Sequence, residues 1–191
     1  MANKPVTIEI SARHVHLSAA DLAHLFGEGY TLAFKRALGQ PGQFLSEERL
    51  HVEGPKGAFD SVAILGPTRA FTQVELSLSD ARVLGIDLPV RASGDVKGSA
   101  GIKLIGPKGA LVLKEGAIAA KRHLHLSPAD ATRFLLRDRQ TVSVRVDGPR
   151  ALVFDEVLVR VSAAFHTVMH IDVDEANAAG LTGPTEANIL L

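Results

Sequence analysis

The sequence predicts a mainly β chain with short helices, built as two copies of one β-rich unit. Three observations carry this. Short alternating or β-branched runs ("VTIEIS", "VSVRVDG", "EVLVRVS", "TVMHIDVD") lie between segments rich in Gly and Pro, which number 17 and 9. The stretch Arg13–Asp21 recurs as Arg122–Asp130, 109 positions later, differing only in Val15 against Leu124 and Ala19 against Pro128. The turn sequence "GPKGA" also occurs twice, at 54–58 and 106–110.

Taken in order, Val6–Ser11 predicts the first strand, and Arg13–His16 continues extended. Ser18 and Asp21 fit a helix N-cap with an acidic residue at the third helical position, and Gly27 is placed to stop that helix. The two "GPKGA" stretches predict hairpin turns. In the second copy Ser127 and Asp130 repeat the cap, with Pro128 at the favoured first helical position. Strands of about five to eight residues are expected thereafter.

The repeat extends beyond its signature. With a shift of about 95 residues and one gap, 51–81 lies over 145–176: Val52–Pro55 falls on Val146–Pro149, Asp60–Val62 on Asp155–Val157, Thr72 on Thr167, and Asp80-Ala81 on Glu175-Ala176. Glu75 then falls on His170. Each copy therefore holds a His-x-His and a third candidate ligand: His14, His16 and Glu75 in one, His123, His125 and His170 in the other.

Alternation assigns faces. Val6, Ile8, Ile10, Ala12, His14 and His16 share one side, so the imidazoles are expected to continue an inward-facing row. Glu75 opposes Val74, Leu76 and Leu78; His170 opposes Met169, Ile171 and Val173. Each third candidate thus stands opposite the more apolar row, as a pocket ligand would. Imidazole and carboxylate without thiolate suit zinc or another divalent first-row metal. Arg13 and Arg122 alternate away from the histidines and are expected to be structural. His24, His51 and His166 follow no pattern and are expected at the surface or in support of the site. Duplication could also preserve a purely structural strand-and-cap motif.

Composition narrows the function. Over 191 residues the apolar fraction is 46%, enough for real cores, and 21 basic residues balance 21 acidic ones. That balance gives no electrostatic footprint for nucleic acid or an acidic membrane surface. With no cysteine, disulfides, thiolate ligands and a cysteine nucleophile are excluded. No apolar run is long enough for a bilayer-spanning helix, so a soluble intracellular protein is expected.

The chain resembles the phosphate propanoyltransferase family of phosphotransacylases almost end to end. The resemblance is carried by "ISARHVHLS", "LGQPGQFLSEE", "LGPTRAFTQVELSLSDARVLGI", "PVRASGDVKGSAGI", "AIAAKRHLHLSPADA" and "MHIDVDEANAAG". It implies two β-barrel domains with a dinuclear metal site between them. The first barrel would span about 13–120 and the second 121–191, completed by an N-terminal strand in 1–12. It implies interconversion of acyl-CoA plus phosphate with acyl phosphate plus CoA, propanoyl or acetyl, using two zinc ions per chain or other divalent metals. His14 and His16 would hold one ion and His123, His125 and His170 the other, with Glu75 between them, where its two oxygens could bridge.

The same resemblance gives Arg69 a phosphate-binding role, suited to a planar guanidinium fork. It makes Ser11 and Asn177 coenzyme A contacts; Lys35 and Arg36 are a further expectation for the nucleotide end, as an adjacent basic pair. It implies a homodimer. Some relatives work in bacterial microcompartments of propanediol degradation, behind an amphipathic segment; with Met1–Pro5 alone before "VTIEI", the cytoplasm and a microcompartment are both open. The alternatives are a metal-dependent phosphoester hydrolase and a non-catalytic zinc-stabilised protein.

Overall fold

The structure, a computed structural model, describes residues 4–190, so the first three residues of the lead Met1–Pro5 lie outside it. In chain order the elements are β1 (Pro5–Ser11), β2 (His14–His16), α1 (Ala19–Phe26), β3 (Phe34–Ala37), β4 (Phe44–Glu53), β5 (Ala58–Gly66), β6 (Gln73–Glu75), α2 (Leu78–Leu84) and β7 (Val90–Arg91). They continue with β8 (Ala100–Ile105), β9 (Ala110–Ala120), β10 (His123–Leu126), α3 (Pro128–Phe134), β11 (Thr141–Val146), β12 (Leu152–Val161), β13 (Val168–Asp172), α4 (Val173–Ala179) and β14 (Thr185–Leu190). The chain is mainly β, and its helices are short.

The residues form two compact units. One comprises Arg13–Leu38 and Gly42–Ala120; the other takes the chain up to Ala12, Gly39–Pro41, and everything from Lys121. In the first unit the strands pair in the ring β9–β6–β2–β5–β4–β8 and back to β9, with β3 and β7 outside the ring on β4 and β9. In the second unit the closed barrel is β1–β13–β10–β12–β11–β14.

The two rings match strand for strand. The His-x-His strand runs parallel to one neighbour (β2 with β5, β10 with β12) and antiparallel to the other (β2 with β6, β10 with β13). The third-ligand strand pairs in parallel with β9 in the first barrel and with β1 in the second. Thus β1 holds in the second barrel the place that β9 holds in the first. The repeat read in the sequence is a duplication of one six-stranded barrel.

One expectation about faces is overturned. Val15 and Leu17 point into the first core, and Leu124 and Leu126 into the second, so the four histidines lie on the opposite face of their strands. The alternation is real, but β1 and β2 belong to different barrels. The side that faces inward through Val6 and Ile8 faces outward once the chain re-enters sheet at His14. A second, smaller correction concerns "TVMHIDVD": the strand ends at Asp172, whose side chain caps α4 by accepting from Glu175 N, and Val173 is already helical.

Local chemistry explains the punctuation. Ser18 and Ser127 accept from the backbone N of Asp21 and Asp130, and a cap of this type stabilises by about 1 kcal/mol. Gly27 ends α1. In each "GPKGA" the first glycine donates to the fourth residue's carbonyl, Gly54 to Gly57 and Gly106 to Gly109, both at 2.9 Å. Lys56 N and Lys108 N then donate to the carbonyls of Leu84 and Leu25, near helix ends, so the hairpin tips satisfy groups the helices leave open. A Cβ on Gly54 would lie 2.4 Å from the oxygen of Leu84, and one on Gly106 2.5 Å from that of Leu25, so this docking requires glycine.

Candidate metal centres

The first triad is assembled by β2 and β6. Their antiparallel register sets His14 opposite Glu75 and His16 opposite Gln73. His14 Nε2 and His16 Nε2 lie 3.2 Å apart; Glu75 Oε2 is 3.6 Å from the former and Oε1 3.9 Å from the latter. Zinc–nitrogen bonds of about 2.0–2.1 Å at tetrahedral angles would separate neighbouring ligand atoms by roughly 3.3–3.4 Å. The His14–His16 edge is close to that value, the two edges to Glu75 are longer and run to different carboxylate oxygens, and the donor set gathered here suits a divalent first-row ion.

Tautomer and charge agree with this. His16 Nδ1 faces the carbonyl of Leu65 at 3.3 Å, which places its proton there and leaves an Nε2 lone pair towards the triad. Burial, then the neighbouring His14 and the Arg69 guanidinium, lower the His16 pKa to about 3, against a smaller opposing pull from Glu75. His16 is thus neutral, as a ligand must be.

Glu75 is held by a polar clamp. Its Oε1 accepts from Gln73 Nε2 at 2.6 Å and from Ser93 Oγ at 2.9 Å. The Gln73 amide also reaches Ser93 Oγ at 3.0 Å and accepts from Gly94 N at 2.8 Å, and Gln73 is fully buried.

The second triad is assembled by β10 and β13, with His123 directly opposite His170. Ring centroids are 4.6 Å apart for His123 and His125, 5.4 Å for His123 and His170, and 5.3 Å for His125 and His170, and ligand nitrogens of all three converge. His123 Nδ1 donates to the carbonyl of Lys121 at 2.9 Å, presenting Nε2 to the cluster. His125 stacks on Phe165, centroid to centroid 4.1 Å. His170 Nε2 lies 3.3 Å from Glu9 Oε2.

The residues flanking each His-x-His brace it. Arg13 binds Asp80 Oδ1 at 2.6 Å and lies over the Phe59 ring; Arg122 pairs with Glu175 at 3.3 Å and lies over Phe154, the repeat partner of Phe59. Each arginine thus ties the start of the His-x-His strand to the helix that follows the third ligand. At the other end, Thr72 donates to Asp21 Oδ2 and Thr167 to Asp130 Oδ2 at 2.6 Å. Each aspartate ties the helix after His-x-His to the approach of the third-ligand strand. The expectation that both arginines turn away from the histidines holds.

The other sequence-named residues divide by unit. Arg69 N donates to Leu17 O at 2.8 Å beside the first triad; Ser162 N donates to Leu126 O at 3.1 Å in the equivalent place, so the second barrel has no matching arginine there. Ser11 ends β1 and is half-buried, and Asn177 is exposed on α4. Lys35 and Arg36 are exposed on β3, with Lys35 paired to Glu47 at 2.9 Å. His24 binds the carbonyl of Ala110, His51 pairs with Asp60, and His166 is exposed. Gln73, Ser93 and Glu9 were not singled out in the sequence; only Gln73, two positions before Glu75, carried a local signal.

Comparison with known proteins places the chain among relatives of one description. A family model described as phosphate propanoyltransferase matches residues 7–182. A phosphate propanoyltransferase of Enterococcus faecalis is 50% identical over 96% of this chain and 87% of its own length. One of Thermotoga maritima is 50% identical over 92% and 84%, and one of Citrobacter koseri 48% over 96% and 88%. Among the described residues no helix is long and apolar enough to cross a membrane.

Proposed function

The chain belongs to the phosphate propanoyltransferase family and is an acyltransferase, and from that premise we propose that it interconverts a short-chain acyl-CoA plus phosphate with an acyl phosphate plus CoA. The acyl group is propanoyl or acetyl. Two zinc ions per chain serve the reaction, one with His14, His16 and Glu75 and one with His123, His125 and His170. The observation that best supports this reading is the first triad with Arg69 beside it: three converging donors, a neutral His16, and a cation close enough to lower its pKa.

When bound, the ions supply Lewis-acid charge that offsets negative charge developing on the reacting oxygens. The chain's residues do the rest. Arg69 grips phosphate through two parallel N–H donors and presents it for attack. Transfer is direct, in a ternary complex: a phosphate oxygen bonds to the thioester carbonyl carbon, the carbon–sulfur bond breaks, and CoA leaves as thiolate. Ser11 and Asn177 contact CoA. Lys35 and Arg36 contribute at its nucleotide end, for which Lys35 would exchange its Glu47 partner.

Each barrel is one domain, 13–120 and 121–191 with 1–12, except that Gly39–Pro41 goes with the second. The working form is a homodimer, in the cytoplasm or a microcompartment. The test is phosphate-dependent release of free thiol from propanoyl- and acetyl-CoA. Thiol release without phosphate would make the protein a hydrolase, and no turnover with metal loaded would make it a zinc-stabilised non-enzyme.

A further inference from the structure

We propose that Glu9 supplies an oxygen donor to the site formed by His123, His125 and His170. The inference rests on reading that triad as a metal site, and extends its ligand set to a strand far away in sequence.

The first support is position. Glu9 on β1 is the parallel register partner of His170 on β13. Ile8 packs in the barrel core with Ile10 against it, and Met169 and Ile171 are core on the facing strand, so Glu9 and His170 share the opposite, ligand-bearing face. Glu9 Oε2 lies 3.3 Å from His170 Nε2, at the margin of the three converging histidines rather than inside their cluster, so a turn of its side chain would carry an oxygen to the site.

The second support is the duplication. In the first barrel the third ligand is Glu75, and its register partner on β9 is Ile118. Ile118 is fully buried yet is not part of the barrel's apolar core, which takes Ala117 and Ala119, so it too lies on the ligand face. The copies have exchanged chemistry between adjacent strands: carboxylate with isoleucine in one, imidazole with carboxylate in the other. Each site keeps one carboxylate. Glu9 would add to three neutral imidazoles an anionic oxygen, a donor that zinc accepts alongside nitrogen.

The third support is Gly39. A Cβ there would lie 2.7 Å from both carboxylate oxygens of Glu9. Gly39 is not among the positive-φ glycines, so the room it leaves is for the carboxylate rather than for the backbone. Next to it, the Gln40 side chain donates to His166 O at 3.0 Å and accepts from His166 N at 3.2 Å, fixing this segment in the same unit.

The experiment is titration of the metal-free full chain with cobalt(II), followed by visible absorption and by competition with a chromophoric chelator. Wild type should take two ions. Glu9→Gln keeps the size and a hydrogen-bond acceptor but loses the anionic oxygen; Glu9→Ile copies the equivalent position of the first barrel. Both should weaken one ion, on the order of 10–100-fold, and shift its absorption, leaving the other unchanged. The loss should persist in a His14→Ala background, where only the second site remains. If wild type takes two ions and both variants bind them as tightly, Glu9 only hydrogen-bonds the His170 ring and the inference is wrong. If wild type takes no ion at either triad, the metal reading itself fails, and this inference with it.

Discussion

Gln73 donates its side-chain amide to Glu75 Oε1 across 2.6 Å, two positions apart on one short strand and with Gln73 wholly buried. Residues at i and i+2 share a strand face, so Gln73 adjoins the ligand it orients. Replacing it with leucine keeps much of the volume and removes the clamp. Gln73→Leu is expected to weaken the ion at the first triad by roughly 10–100-fold in chelator competition. Unchanged affinity would show that Ser93 alone holds Glu75.

Metal analysis of the active protein is expected to find close to two zinc-like ions per chain, and chelation is expected to abolish activity, because six ligands exceed one tetrahedral shell. Glu75→Gln should lose activity and bound metal, whereas substitution of His24 or His166 should not. One ion in fully active protein would refute the two-site reading.

Arg69→Ala should keep both metals and its fold while activity falls roughly 10²–10³-fold, the scale for losing a preorganised charge-stabilising donor. Arg69→Lys should recover only part, since a point charge restores attraction without the planar fork. Steady-state kinetics should place the defect in phosphate and acyl phosphate, with CoA affinity little changed. A variant with normal kinetics and a lower melting temperature would make Arg69 a turn residue.

The two arginine braces should differ in weight. Asp80 is buried, with 5% of its side chain exposed, so Arg13→Met leaves a carboxylate without its charged partner. Breaking such a pair costs about 3–5 kcal/mol when both members are buried; with Arg13 partly exposed, about 1–3 kcal/mol is expected. The longer Arg122–Glu175 pair is partly exposed on both sides, and Arg122→Met should cost about 1 kcal/mol or less. Urea unfolding of the metal-free variants measures both; the reverse order would contradict this account.

Asp130 gives the chain an acid-sensitive contact. The Thr167 hydroxyl donates to its carboxylate, and that bond, with lesser help from Ser127 and Arg133, holds its pKa below the usual value of 3.8 against a cost of burial. A carboxylate whose pKa is depressed on folding stabilises above its unfolded value and loses that contribution as pH falls through the folded one. Asp130→Asn should therefore destabilise by about 1–2 kcal/mol at pH 5–7. The gap should close below pH 3.8. A gap independent of pH would mean that shape, not charge, is lost.

The His-x-His pairs, caps and hairpin turns were legible because each is a local pattern, and the repeat named Glu75 and His170 by superposition. The face of the histidines was not: period-two alternation fixes relative sides only within one barrel, and it was carried across the change of barrel at Arg13 that the repeat and the resemblance both place there. Ser93 and Glu9 were equally hidden. Ser93 reaches Glu75 from a loop 18 residues on, and Glu9 meets His170 through a parallel pairing 161 residues apart. Contacts of that kind depend on register between distant strands, which no local window encodes.

The discontinuous barrel also sets an order of assembly. The first barrel's ring, β2, β4, β5, β6, β8 and β9, comes from one nearly continuous stretch and needs no strand beyond Ala120. Strand β1 is made first but finds its partners only at Val168–Asp172 and Thr185–Leu190. Until then Val6, Ile8 and Ile10 have no core to enter, and both edges of the strand lack partners, a state open to mispairing between chains. Closing such a long loop is slow compared with local pairing. The topology thus leaves the first barrel free to form before β1 is captured, and the pairing of β1 with β13 and β14 is what closes the second.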